Sequence, residues 1–205
     1  MSSQSQVAST QVTKRQTKPA EVRIDELMNA AQTLFLAKGV EATTISEIIA
    51  SVGVAKGTFY HYFESKQHIV EALKKRYIDF FIAALDTAVA TCDDEDWVSQ
   101  FKVWISANIQ TYLESYAIHD IVFGAHHHER KNNEKNMILE QLLQILNGGQ
   151  QADIWHLEQP RLTALLIYSG VHGVADEAIA NQLQDSTDFS QQIALQYLKM
   201  LHHDG

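Results

Sequence analysis

The sequence predicts an all-α fold, a small three-helix unit followed by a larger helical body. Three observations lead there. Only two prolines occur in 205 residues, Pro19 and Pro160, and the chain between them repeats its apolar residues at helical spacing. A capping-box sequence, Thr44-Ile45-Ser46-Glu47, stands before a short apolar helix and a glycine turn. No segment alternates apolar and polar residues as a half-buried strand does, and no internal repeat is present.

Residues 1–18 are rich in Ser, Gln and Thr and read as a flexible tail, with Lys14, Arg15 and Lys18 near its end. The first helix is expected over Val22 to Lys38, burying Leu27, Ala30, Ala31, Leu34 and Phe35, with Gly39 as its stop. In the capping box the Thr44 hydroxyl accepts from the Glu47 N–H while the Glu47 carboxylate reaches back to the Thr44 N–H. The helix it opens buries Ile45, Ile48, Ile49 and Val52. Gly53 turns the chain, and Val54 plugs the core beneath. A third short helix, Lys56 to Phe63, turns Phe59 and Phe63 inward and leaves Lys56, Thr58, Tyr60 and His61 on its other sides. A long helix is expected from Ser65 to about Ala90, with Ile69, Leu73, Phe80, Ala84, Leu85 and Ala88 inside. The acidic run from Asp93 to Asp96 breaks it and caps the next helix at Trp97. Helices over 97–115, 117–125 and 133–147 follow, then a turn at Gly148-Gly149. Pro160 opens a helix reaching Gln182, where its missing N–H does no harm, and the last helix covers 188–203.

The net charge of −9 is unevenly spread: residues 1–76 hold ten Lys/Arg against seven Asp/Glu, and residues 77–205 hold six against eighteen. A head of net +3 on a body of −12 permits head-first binding to a polyanion. Cys92 is the single cysteine, which excludes an intrachain disulfide and fits a reducing compartment. It stands beside Asp93 and Asp94, with no evident cation to favour a reactive thiolate. The first residues have no apolar core of the signal-peptide kind, and no apolar run reaches the roughly 18 residues of a membrane span. The expectation is a cytoplasmic protein without a membrane partner.

Two short helices joined by a glycine turn form a helix-turn-helix, whose second helix can enter a major groove while its apolar side stays anchored. Lys56 brings positive charge. Gly57 removes a side chain where a backbone must come close to something. Thr58, Tyr60 and His61 offer hydroxyl and imidazole groups to phosphates or base edges alike, and Lys66 is placed for a further phosphate. The stretch from Thr44 to Gln67, with G-V-x-K-G-T-F-Y-x-Y-F-x-S-K nearly unbroken over Gly53 to Lys66, strongly resembles the N-terminal DNA-binding domain of the tetracycline-repressor (TetR) family. With the preceding helix the resemblance covers about residues 22–76. It implies DNA contacts from the positions of Thr44, Lys56, Gly57, Thr58, Tyr60, His61 and Lys66. It implies also a homodimer on a palindromic operator and repression relieved by a small molecule. Two positions depart from the pattern: Ala55 stands where many members have a serine cap, and His68 where many have glutamate.

The domains expected are a tail over 1–18, a helix-turn-helix domain over 19–66 with its motif at 44–63, and a helical ligand-binding and dimerisation domain over 67–205. The last two helices are the candidates for the homodimer. One presents Leu162, Leu165, Leu166, Ser169, Gly170 and Gly173; the other has a stripe of Phe189, Ile193, Tyr197, Met200 and Leu201. Leu195 and Leu198 are expected to pack on the body. Monomeric core is the competing account of these residues. For a small-molecule effector the body offers Phe80, Phe81, Trp97, Trp104, Tyr112, Phe123, Trp155 and Tyr168, each of which core packing also explains. His172 and Asp176, spaced i and i+4, can bond each other or a ligand. The ligand-binding set is therefore Trp104, Tyr112, Phe123, His172 and Asp176. His126, His127 and His128 point about 100° apart on a helix and do not share one metal ion. No nucleophile elbow, phosphate loop or carboxylate pair is present, so neither an enzyme nor a cofactor is expected. The competing accounts are a ligand-binding or enzymatic helical protein whose helix-turn-helix is vestigial, and a regulator that activates or works through protein partners.

Overall fold

The computed structural model describes residues 19–124, 133–182 and 186–201, except the side chains of 133–136 and 186; the tail 1–18 and His126–His128 lie outside them. Eight helices are formed among the described residues, and no strand. They are α1 (Ala20–Lys38), α2 (Ile45–Val52), α3 (Lys56–Tyr62), α4 (Lys66–Val89), α5 (Trp97–Phe123), α6 (Asn133–Gln151), α7 (Pro160–Ala180) and α8 (Ser186–Leu201).

Helix α1 buries Leu27, Ala31 and Phe35 of the expected row, with Ala30 and Leu34 half-buried beside them, and also Met28, which was not expected inside. It packs on α2, α4 and α5. Helix α2 begins with the capping box complete. Thr44 Oγ1 accepts from the Glu47 N–H at 3.3 Å, and the Thr44 N–H donates to Glu47 Oε2 at 2.8 Å. The other oxygen of Glu47 pairs with Lys38 Nζ at 2.5 Å. Gly53 ends α2 in the left-handed conformation, φ 70° and ψ 39°, which a glycine adopts without steric penalty. Its N–H returns to Ile49 O at 2.9 Å.

Helix α4 starts at Ser65, whose hydroxyl accepts from the His68 N–H at 3.1 Å. His68 accepts the N–H of Glu64, the residue before the cap, on Nδ1 at 3.2 Å, rather than the Ser65 N–H that a capping-box glutamate would take. Lys66, expected to face a phosphate, turns the other way. Its ammonium donates to the carbonyls of Val40 (2.5 Å), Thr43 (2.9 Å) and Glu41 (3.2 Å). All three protons are thus spent on the α1–α2 loop, whose carbonyls have no helical partner of their own. Further along α4, Arg76 donates to Asn29 Oδ1 at 2.8 Å and Gln32 Oε1 at 2.5 Å, so α4 grips the three-helix head at two points.

The inner row of α4 is Ile69, Leu73, Tyr77, Phe81 and Leu85, with Val70 and Ile78 beside it. Phe80, expected inside, is 55% exposed. Adjacent residues on a helix point about 100° apart, and Phe81 is the one that continues the four-residue row. Helix α5 runs unbroken for 27 residues where two helices were expected. No breaker stands at the expected joint: Ser115 bonds back to its own helix at Thr111 O and lies 3.4 Å from the Tyr77 hydroxyl. Helix α5 touches α1, α4, α6, α7 and α8 and forms the axis of the body.

Gly148 and Gly149 lie inside α6 rather than in a turn. A Cβ on Gly148 would come within 2.5 Å of the Trp97 ring, and one on Gly149 would overlap the Trp155 ring. These glycines make room for two indoles. The chain turns later, at Asp153, whose φ of 58° lies in the left-handed region that Asp tolerates better than most residues. The Ile154 N–H then reaches Gly149 O at 2.9 Å. Helix α7 starts at Pro160 as expected and buries Ala164, Ile167, Tyr168, Val171, Ala175 and Ala178. On α8, Leu195 was expected to pack against the body but is exposed, because Ser190, Ala194 and Leu201 make the inner face.

Replacing Lys66 by methionine should free the loop carbonyls and lower the unfolding free energy by about 2 kcal/mol, the scale of hydrogen bonds to a charged group. Urea unfolding followed by circular dichroism measures this, and an unchanged midpoint would contradict the loop-fastening role. The Glu47 carboxyl is held down from 4.5 to about 2, first by Lys38 and then by its bonds to Thr44. A carboxyl depressed by folding stabilises the protein fully above 4.5 and loses that contribution as pH falls towards 2. Glu47→Gln should therefore lower the melting midpoint at pH 7, and the gap to the parent protein should close between pH 4.5 and 2.

Candidate nucleic-acid interface

Helix α3 is anchored by Phe59 and Phe63, both buried, with ring centroids 5.8 Å apart. Burying one such phenyl is worth roughly 2–3 kcal/mol, enough to hold a helix of seven residues that has no side-chain cap at Ala55. The opposite side faces outward. Lys56, Gly57, Tyr60 and His61 are exposed, and Thr58 is half-buried. The Tyr60 ring, 48% exposed, is supported edge-on by Phe59 at 5.5 Å, and Lys56 Nζ stands 5.8 Å above it. His61 rests edge-on against Tyr62 at 4.8 Å.

Gly57 is the informative residue here. Its φ is not in the left-handed region, and an added Cβ would meet nothing within 4 Å. Neither its own backbone nor the protein's packing requires glycine. In a helix that choice costs about 1 kcal/mol relative to alanine.

Of the residues expected to touch DNA, the structure brings Lys56, Gly57, Thr58, Tyr60 and His61 together on α3. Thr44 is exposed at the start of α2, with its hydroxyl 2.8 Å from Glu47 Oε2. Lys66 is separated from them by its function in the loop.

In the body, four of the five residues expected to bind a ligand gather around the far half of α5. The Tyr112 hydroxyl donates to Asp176 Oδ1 at 2.7 Å, and its ring lies 5.2 Å from that of His172. Phe123 joins through His119, which is 4.7 Å from Phe123 and 4.8 Å from Tyr112. The sequence reading missed His119, Tyr77 and Ser115, which come from α5 and α4; only their facing positions on two packed helices mark them. Burial lifts the phenols of Tyr77 and Tyr168 to about 12. Burial and then the Asp176 carboxylate push Tyr112 higher still.

Trp104 lies two turns away on α5. It is fully buried, and its indole N–H has no hydrogen-bond partner. With Trp97 it lines a cavity of about 200 Å³ between α4, α5 and α6. One turn further on, Asn108 is fully buried with both amide atoms unpartnered. A larger and more open groove, about 440 Å³, runs along α5 and α8 past Lys102, Ser106, Gln110 and Leu195. No helix among the described residues is long and apolar enough to cross a membrane.

Residues 27–73 match the family model described as bacterial regulatory proteins, tetR family. The transcriptional repressor KstR2 of Mycolicibacterium smegmatis is 38% identical over 72 residues, which are 33% of this chain and 35% of that protein. The match thus spans about a third of the relative's length. Over nearly the whole chain the likeness is one of fold. A regulatory protein of the tetR family from Rhodococcus RHA1 superposes with a TM-score of 0.71 at 19% identity, covering 89% of this chain and 98% of that one. The regulator FadR from Bacillus subtilis, solved in complex with stearoyl-CoA, superposes with a TM-score of 0.71 at 20% identity, covering 87% and 99%. Residues 27–73 are thus similar to the tetR family of bacterial regulatory proteins, and the fold of nearly the whole chain is similar to that of a solved structure of that family.

Proposed function

We propose that this protein is a sequence-specific DNA-binding regulator, a repressor that holds a palindromic operator as a homodimer and leaves it when a small molecule occupies the helical body. The observation that carries this reading is the outer face of α3. It has a glycine that folding does not require, flanked by an exposed lysine, tyrosine and histidine. A backbone left bare at that place suits a phosphate or base edge approaching from outside. The head is residues 19–66, preceded by the tail 1–18, and the body is residues 67–205. Lys56, Gly57, Thr58, Tyr60, His61 and Thr44 contact DNA. Lys66 acts indirectly, by fixing the loop that sets α2 and α3 in place. The repressor sign follows KstR2, whose similarity lies in the same part of the chain.

The dimer forms through α7 and α8. Leu162, Leu165 and Leu166 are exposed on α7, the last of them by 65%, beside the exposed Ser169 and Gly173. Met200 is exposed on α8. Gly170 turns inward to receive the Tyr197 hydroxyl, so it supports the α7–α8 contact within one chain. Two such helices from each protomer make a four-helix bundle across a twofold axis. The two α3 helices must then lie about 34–36 Å apart to enter successive major grooves. A ligand that shifts α4 changes this spacing and selects the form that does not fit DNA.

Fluorescence anisotropy with the protein's own upstream DNA, across a salt series, tests the DNA reading. Binding should weaken steeply with salt. Tyr60→Ala and Gly57→Ala should each weaken it about tenfold or more, while Gly57→Ala melts no lower than the parent protein. Gly57→Ala binding as tightly as the parent protein would show that α3 is not the reading face. For the dimer, Leu166→Glu should yield monomers in sedimentation equilibrium with helicity retained; persistent dimers would place the interface elsewhere.

A further inference from the structure

We infer that the cavity between α4, α5 and α6 is a binding site for a small, flat, neutral molecule that carries both a hydrogen-bond acceptor and a donor. The inference rests on the reading of the body as an effector domain and assigns the chemistry of the effector. The cavity, about 200 Å³, is walled by Leu85, Val89 and Ile145 and by the indoles of Trp97 and Trp104. Its polar groups are not all satisfied by the protein. The Trp104 N–H, on a fully buried side chain, has no partner. Gln141 donates from Nε2 to Asp86 Oδ1 at 2.6 Å, and its own buried Oε1 has no partner either. Gln100, by contrast, is held by Asp93 O and Asp94 O at 2.9 Å each. Native interiors seldom leave buried polar atoms unpaired, so an unpaired donor and acceptor lining one cavity mark a place where a ligand supplies the partners. The row continues along α5 to Asn108.

The charge of the ligand follows from the walls. No lysine or arginine lines the cavity, and its one charged lining residue is Asp86, so an anion is repelled. A simple cation offers no acceptor to the Trp104 N–H. A neutral group with both functions, such as a cyclic amide, satisfies both. Size narrows the choice further, since a cavity of about 150 Å³ admits benzene. A one- or two-ring compound is expected. Occupancy also has a route to the head, because Leu85, Asp86 and Val89 lie at the end of α4, whose first residue is Lys66.

The probe is 2-quinolinone, titrated calorimetrically into the full chain, with N-methyl-2-quinolinone as the analogue lacking the donor. The expected result is saturable one-to-one binding of 2-quinolinone, with the N-methyl analogue about tenfold weaker, the effect of one lost hydrogen bond. Trp104→Phe, which keeps a ring but drops the N–H, should weaken 2-quinolinone about tenfold. Gln141→Met, on a half-buried residue, should do the same and should also erase the preference over the N-methyl analogue. Absence of binding up to the solubility limit, or equal affinity across variants and analogues, would overturn the assignment. Operator binding is read separately. Ligand binding that follows this pattern in a protein with no DNA affinity upholds the site and sinks the regulator reading. The reverse result, operator binding with no response of calorimetry to 2-quinolinone, upholds the regulator and sinks the site.

Discussion

One ammonium group sits where the helix-turn-helix meets the rest of the molecule. Lys66 stands at the start of α4 and donates to three carbonyls of the loop between α1 and α2. The loop can present them because it is tight. Gly39 ends α1, the Thr43 hydroxyl reaches back to Gly39 O at 2.8 Å, and Thr44 already caps α2. Val40 O also accepts the Thr43 N–H at 3.2 Å, but without the ammonium the carbonyls of Glu41 and Thr43 would lose their donor and the angle between α1 and α2 its anchor. Because α2 carries α3 through the Gly53 turn, the orientation of the outward face of α3 depends on the same three hydrogen bonds. Arg76 adds a second attachment three turns along α4, to Asn29 and Gln32 of α1. The head is thus clamped to a helix whose other end lies deep in the body.

That arrangement gives α4 its mechanical importance. A single helix of 24 residues joins a loop fastened by hydrogen bonds to a cavity lined by Leu85, Asp86 and Val89. Its inner row is well packed, and close-packed interiors shift as units rather than deform gradually. The interior of the body is unusual in a related way. Helix α5 lies against five other helices, yet Gln100, Asn108 and Thr111 are buried among its apolar residues. Gln100 is held by Asp93 O and Asp94 O, but the Asn108 amide is unpaired, which lowers stability on the central helix.

Electrostatics limits how the head meets a polyanion. Much of its positive charge is engaged internally: Arg23 with Glu26, Lys38 with Glu47, Lys66 with the loop and Arg76 with α1. Lys56 stands on the outward face of α3, over Tyr60. The body carries the greater part of the negative charge and repels a phosphate backbone. Approach is favoured only head first.

The sequence by itself determined what depends on neighbours within a turn or two of chain. The capping box at Thr44, the stop at Gly53, the start at Pro160 and the row Phe59–Phe63 are local, so residue spacing was enough to locate them. The outward placement of Lys56, Tyr60 and His61 followed from that same row. The tertiary structure decided the rest, because the deciding partner is remote in sequence. Phe81 rather than Phe80 is buried because of the row on α4 that faces α5. Gly148 and Gly149 continue a helix because the Trp97 and Trp155 rings need their missing side chains. Leu195 is exposed because Ser190 and Ala194 form the inner side of α8. Trp104 was separable from Tyr112 and Asp176 only once α6 and α7 were seen to cover different stretches of α5. Lys66 was read as a phosphate ligand because a lysine at that place is chemically fit for one; only the fold brought three loop carbonyls to it.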